Sequence, residues 1–532
     1  MLSSNVVAVV SESPWYSTTP PFDPSETYAE CPGNVSRVDN PAFRAVRKAF
    51  LALGLDAMRR DTPAWNPLSD MIAPGQLVLV KPNLVFHELL DPALGDRSDV
   101  RALISHGSVI RAVAEYAALA LHGRGTIVIG DAPLQGAVWG RLCAAAGLHS
   151  IRDSLRQRYP NLDVRVEDLR LRTAVLDRRG HVVRRGPTGQ SDTGYREVDL
   201  GGYSLLEELT QGGDSFGVTQ YATSRMRRAH KIGAHKYCIS SYALDADVIL
   251  NVPKLKTHIK TGVTIALKNL VGINGHKDHL PHFRPGAPAQ GGDEYPDGNK
   301  IWDALWATMH AEWQLERGAL KWLLNRVPGA FRRILRWTCG YPIWATELGG
   351  GSWCGNDTLW RTVLDLNRVL FYYDKNSNTV GDTPRNDQTY LAIVDGLVGG
   401  DREGPLSPSA VPSGILLAGR NPVAVDSAGA ALMGFQPAHL PVLSNAWNLK
   451  CLPLVGFDLE DVRLVGDAEV HHIGSLHDSR LVRAFEPSRG FRPLLTGESA
   501  RKIAPRSVEA YFPTGNVTDR PVTQKQPVSI ER

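Results

Sequence analysis

The sequence predicts an α/β fold, a mostly parallel sheet with flanking helices, from three observations. Short apolar runs rich in β-branched residues recur along the chain, helical apolar stripes separate them, and each run ends in a polar or Gly-containing turn. Parallel neighbours need long crossovers, and the helices between the runs supply them.

The first run, Val6-Val7-Ala8-Val9-Val10, stops at Ser11-Glu12-Ser13-Pro14 and is read as a strand; it is too short and lacks the basic flank of a secretory leader. Asn40-Pro41 followed by Phe43, Val46, Phe50 and Leu53, with Gly54 beyond, predicts a capped helix with one apolar face. Residues 77–80 form the next strand and run into Lys81-Pro82-Asn83. A helix over 108–121 and a strand over 126–130 follow, the latter ending at Asp131-Ala132-Pro133. Residues 150–230 mix charged runs with Gly-rich turns and are expected to form hairpins and loops. Strand patterns return at 246–250, 391–394 and 415–418.

Residues 1–284 and 361–470 are therefore expected to form the α/β core, with a helical insertion over 285–360 that holds eight of the twelve tryptophans. Within the insertion, Leu320, Leu323, Leu324, Val327, Phe331, Ile334 and Leu335 interleave with Lys321, Arg326, Arg332, Arg333 and Arg336. Two readings stand for this stretch: a helical pair broken at Pro328-Gly329 that packs on the core, or a surface for membrane lipid. The polar, Pro-rich residues 471–532 are expected to form a loosely structured tail.

Composition narrows the function classes. A net charge of +4 over 532 residues, without a long basic run, argues against nucleic acid as partner. No apolar stretch reaches the roughly 18 to 20 residues of a membrane span, and the expected compartment is the cytoplasm. The six cysteines lie far apart, so no Cys-ligated iron–sulfur cluster is expected in this chain. Gly-rich nucleotide loops and the Gly-x-Ser-x-Gly elbow do not follow any convincing strand.

Ligands of open parallel sheets bind beyond the carboxyl ends of the strands. There the sequence places Lys81 and Asn83, Asp131, Asn251 with Lys254, and Asp395. The densest stretch, from Asn251 to Asn274, carries four lysines, one histidine, three asparagines and three threonines. Ammonium groups, hydroxyls, amides and Gly-permitted backbone N–H groups together make an anion cradle. Lys268-Asn269 follows the mostly apolar run 263–267, and a lysine so placed needs a partner or a ligand. His258, His279 and His282 are candidate ligands for a divalent metal.

Several separated motifs resemble the family described as domain of unknown function 362. They are Val78-Leu79-Val80-Lys81-Pro82-Asn83-Leu84, Pro253-Lys254-Leu255-Lys256-Thr257-His258, the run Thr264 through Gly272, Asp365-Leu366-Asn367, Val394-Asp395-Gly396 and Asn421-Pro422-Val423-Ala424-Val425-Asp426. Many members of that family resemble iron–sulfur proteins through an attached Cys-rich segment, which this sequence lacks; an external electron-transfer protein is then the implied partner. A weaker, distant similarity is to nickel-dependent lactate racemase-like proteins.

The resulting expectation is an enzyme that binds a small anionic metabolite or cofactor, with metal-assisted redox or epimerisation chemistry implied by the resemblance. His258, Lys268 and Asp395 are the candidate catalytic groups. Lys81, Asn83, Asp131, Asn251, Lys254, Lys256, Thr257, Thr264, Asn269, Asn367 and Asp426 are the candidate binding groups. The alternatives are a non-catalytic metal- or cofactor-binding or maturation protein and a peripheral membrane protein.

Overall fold

A computed structural model describes residues 2–90, 99–176, 182–188, 194–210, 216–219, 221, 223–296, 300–315, 319–324, 349–468 and 470–495. Eleven strands join in one sheet. They are β1 (Val6–Ser11), β2 (Leu77–Pro82), β3 (Gly125–Asp131), β4 (Leu162–Asp168), β5 (Val248–Val252), β6 (Lys254–His258), β7 (Gly262–Thr264), β8 (Thr389–Glu403), β9 (Ser407–Val411), β10 (Ile415–Gly419) and β11 (Arg463–Gly466). The main path runs β11-β1-β10-β8-β5-β2-β3-β4.

The five strands from β8 to β4 are mutually parallel, and four of them, β8, β5, β2 and β3, are strands that the sequence pattern predicts. Antiparallel β10 and β1 extend the sheet on the other side, with β11 parallel to β1 at the edge. The fold class is thus α/β with a mixed, mostly parallel sheet.

Alternate residues of the central strands enter different cores, which explains their near-continuous hydrophobicity. Leu79, Ile249, Ala392 and Val394 pack on one face, while Val78, Val80, Leu250, Leu391 and Ile393 pack on the other. The second face is covered by α1 (Pro41–Ala52) and α2 (Gly107–Ala120). Asn40 caps α1 by accepting the Phe43 N–H at 3.2 Å. Over the first face lie α3 (Ala266–Asn269), α4 (Leu359–Tyr372) and α5 (Pro422–Leu432). Asn421 accepts the Val423 and Ala424 N–H groups at the start of α5.

Three regions differ from the sequence reading. Residues 150–230 contain, besides the hairpin Arg172–Leu176 with Val182–Pro187, a helix at Leu148–Arg158 and the edge strand β4. Charges at alternate positions masked β4, because an edge strand is only half buried. The segment after residue 470 is no loose tail as far as residue 495: Leu476, Phe485 and Phe491 are buried. Of the insertion, the helices Lys300–Gln314 and Ala319–Leu324 are described, and Phe283, Ala287, Tyr295, Leu305, Trp306 and Trp313 form a small core of their own. The break at Pro328-Gly329 and most of the basic stretch lie outside the described residues.

Candidate functional site

Strands β2, β3, β5 and β8 all end on the same side of the sheet, where β6 and β7 fold over as a short hairpin. Alternation along β6 puts Lys254, Lys256 and His258 on one face and Leu255 and Thr257 on the other. Thr264 on β7 lies directly opposite Lys256, so its hydroxyl shares the polar face. One row of side chains therefore carries three different environments.

At the Lys254 end, the Lys254 ammonium contacts Asp395 at 3.0 Å and donates to the Tyr16 hydroxyl at 2.8 Å. Tyr16 donates to the other Asp395 oxygen and accepts the Val398 N–H. Asp395 also accepts the His106 N–H at 2.8 Å, and the His106 ring stacks on Tyr16 with centroids 4.1 Å apart. Asp395 and Lys254 are wholly buried. Burial lowers the Lys254 ammonium and raises the Tyr16 phenol well above its ordinary range. These groups satisfy one another, so the structure places Asp395 with Lys254, Tyr16 and His106, while the sequence reading groups it with His258 and Lys268.

In the middle of the row, Lys256 donates to Asn83 Oδ1 at 3.1 Å and to the Leu103 carbonyl. Asn83 passes the connection to Asn269 at 3.0 Å. Asn269 is a hub: its amide nitrogen donates to the Lys81 carbonyl and Asn251, and its oxygen accepts from Asn83 and Lys81. Asn251 reaches on to the Ala266 carbonyl and Tyr390. Asp426 accepts the N–H groups of Ala266 and Leu267 at 2.7 and 3.0 Å, and Asn367 donates to the Leu267 carbonyl. Burial pushes the Asp426 carboxyl up to about 8, against those two donors. Asn251, Asn269, Asn367 and Asp426, taken from the sequence as ligand-binding groups, thus hold the turn α3. Thr257 likewise spends its hydroxyl on the Arg402 carbonyl, on the far face of β6.

What that scaffold presents is Lys268. Its side chain is partly open, and among the described residues its ammonium has no hydrogen-bond or ion-pair partner. Burial, and then repulsion from Lys277, Lys260 and Lys81, brings it down to about 7, with Asp131 opposing. Each of those neighbours is pinned. Lys81 pairs with Asp131 at 2.7 Å, beneath Gly272, where a Cβ would lie 2.0 Å from the Asp131 carboxylate. Lys277 donates to the Ala132 carbonyl at 3.4 Å, and Lys260 donates to Thr219 at 3.3 Å and to the Gly350 carbonyl. Burial lowers Lys260 and Lys277 to about 8 each.

His258 and His282 complete the group. Both are held well below the ordinary histidine value, by burial first and then by neighbouring lysines. His258 Nδ1 accepts the Lys260 N–H at 3.0 Å, which places its proton on Nε2. His282 Nδ1 donates to the Leu280 carbonyl at 2.7 Å, which leaves its Nε2 a free acceptor. The Thr264 hydroxyl is buried and without a partner. His279 belongs elsewhere, against the Lys236 carbonyl and the His276 ring. The described residues form no group of three His, Cys, Asp or Glu side chains that could hold a metal, so the three histidines are not a ligand set. The five described cysteines are free thiols, four buried and Cys451 exposed.

Residues 207–431 match the family model described as domain of unknown function (DUF362). The chain carries a DUF362 domain. The match spans β5 through most of α5, and so includes Lys254, Lys256, His258, Lys268, Asn269, Asp395 and Asp426, while Lys81, Asn83 and Asp131 lie upstream of it. Comparison with curated proteins and with solved structures finds no match, and the similarity to nickel-dependent lactate racemases gains no support from it.

Sequence reasoning missed Tyr16, Lys260 and Lys277. Lys260 and Lys277 sat within or beside the stretch already singled out, where the histidines drew the attention. Tyr16 had no signal, since its hydrogen-bond partners are more than 200 residues away.

Proposed function

We propose that this DUF362 protein is an enzyme that binds a small anionic metabolite against Lys260, Lys268 and Lys277 and uses Lys268 as its base. One observation carries the reading. Four lysines and two histidines neighbour Lys268, and of the five lysines only Lys81 is ion-paired among the described residues. Burying unpaired cations costs free energy that a carboxylate or phosphate would recover. A lysine lowered toward neutrality by burial and by other cations is suited to take a proton from carbon, and His258 Nε2–H is suited to donate.

Among the described residues, no helix is long and apolar enough to cross a membrane. Free thiols at the five described cysteines support placement in a reducing compartment, the cytoplasm.

The test is thermal unfolding against rising phosphate or succinate at constant ionic strength, with chloride as control. Wild type is expected to gain stability with anion concentration, and Lys268→Met with Lys277→Met to lose that gain. Equal responses of wild type and variant would remove the reading. Stoichiometric binding of a metabolite without turnover would favour the non-catalytic alternative.

A further inference from the structure

We propose that Lys268 is a covalent nucleophile, forming an iminium with the carbonyl carbon of a small oxo-carboxylate. This rests on the anion-site reading, names the substrate class for it and gives Lys268 the covalent role in place of that of base.

The geometry separates holding from reacting. Lys81, Lys256, Lys260 and Lys277 all spend their ammonium groups on protein oxygens, and are placed to attract an anion. Among the described residues Lys268 spends none, although the turn that carries it is held on both sides of it, through Asp426 and Asn367 at Ala266 and Leu267 and through the Asn269 hub. A lysine meant only as a counter-charge would gain by a second hydrogen bond; a nucleophile must keep its lone pair free. Like charge from Lys277, Lys260 and Lys81, with Lys256 and the two histidines nearby and Asp131 the opposing acid, favours the neutral amine. The Thr264 hydroxyl is a buried group on the polar face with no partner among the described residues, and it suits a carbonyl or carboxylate oxygen.

The steps balance without an oxidant or reductant. The Lys268 Nζ lone pair adds to the carbonyl carbon, and the developing oxyanion accepts hydrogen bonds from His258 Nε2–H and the Thr264 hydroxyl. The proton on nitrogen passes to His282 Nε2 and from there to oxygen, giving the carbinolamine. The hydroxyl then takes one proton from solvent and leaves as water while the C=N bond forms. In total, one carbonyl, one amine and one proton become one iminium and one water. Positive nitrogen next to the α-carbon makes its C–H bond acidic.

The experiment uses wild-type protein with pyruvate and sodium cyanoborohydride, followed by peptide mass mapping. Lys268 is expected to become the dominant secondary amine, at least about tenfold faster than exposed lysines because far more of it is neutral near pH 7. Its labelling should rise with pH through about 7 and slow in phosphate. Lys268→Arg keeps the charge and should lose that one modified peptide, with circular dichroism reporting its folding. Labelling spread over exposed lysines, with Lys268 no faster, would overturn the imine. If phosphate still stabilises the protein in that case, the anion site stands and only the covalent step falls; if it does not, both fall.

Discussion

In the proposed reaction the Lys268 amine, the Lys260 and Lys277 ammonium groups and the two histidine tautomers carry the chemistry at the residue scale. Lys268 at about 7 and Lys260 and Lys277 at about 8 sit below the ordinary lysine value of 10.5. The unfolded chain therefore binds more protons than the native state between those values and 10.5, and stability rises with pH across that window. This contribution is complete above the unfolded value and is lost as pH falls through 8 and 7. A bound anion favours the charged forms, so its binding takes up protons. Melting temperature without anion should climb from neutral pH toward 10, and saturating phosphate should flatten that climb. Parallel curves with and without phosphate would show that these lysines do not meet the anion.

Turn α3 is the decisive element. Four residues cannot form a stable helix alone, and Lys268 is presented only because Asp426 of α5 accepts the first two N–H groups while Asn251, Asn269 and Asn367 fasten the rest. Asp426→Ala leaves two buried N–H groups unpaired and should cost about 1–3 kcal/mol per lost acceptor. Urea unfolding would measure it. The same variant should lose the phosphate response while retaining the sheet's circular dichroism; an unchanged phosphate response would show that α3 holds its place without the cap. The polar alternation of β6 was legible in the sequence as Lys254-Leu255-Lys256-Thr257-His258. The separate fates of its three members were not, because Lys254 is claimed by Tyr16 and Asp395, which arrive from distant parts of the chain.

For the whole molecule, the segment beyond residue 470 closes over the sheet end that bears the site. Phe485 packs where a Cβ on Gly399 of β8 would stand, and Phe491 lies against Gly262 of β7. Backbone bonds from Arg402 to the Glu486 carbonyl and from Phe485 to the Met433 carbonyl fix the same segment to β8 and the end of α5. Phe485→Ala should cost about 3–5 kcal/mol in urea unfolding, the range for an aromatic side chain removed from a core. A change within 0.5 kcal/mol, roughly the surface range, would mean that the segment only rests on the domain.

By itself the sequence determined the central parallel strands, the capped helix α1, the clustering of polar residues at the strand ends and the family of the central segment. Local patterns suffice for these, since apolar period, cap residues and turn residues act over a few positions. Tertiary structure alone decided which polar residues are spent inside the protein and which keep no partner among the described residues. Asn269 and Lys268 are neighbours in sequence and alike in polarity, yet every hydrogen-bonding group of the Asn269 side chain is engaged and the Lys268 ammonium has no partner among the described residues. That difference depends on Lys81, Asn83 and Asn251 arriving from other strands, and long-range pairing of this kind leaves no trace in the composition of a single stretch.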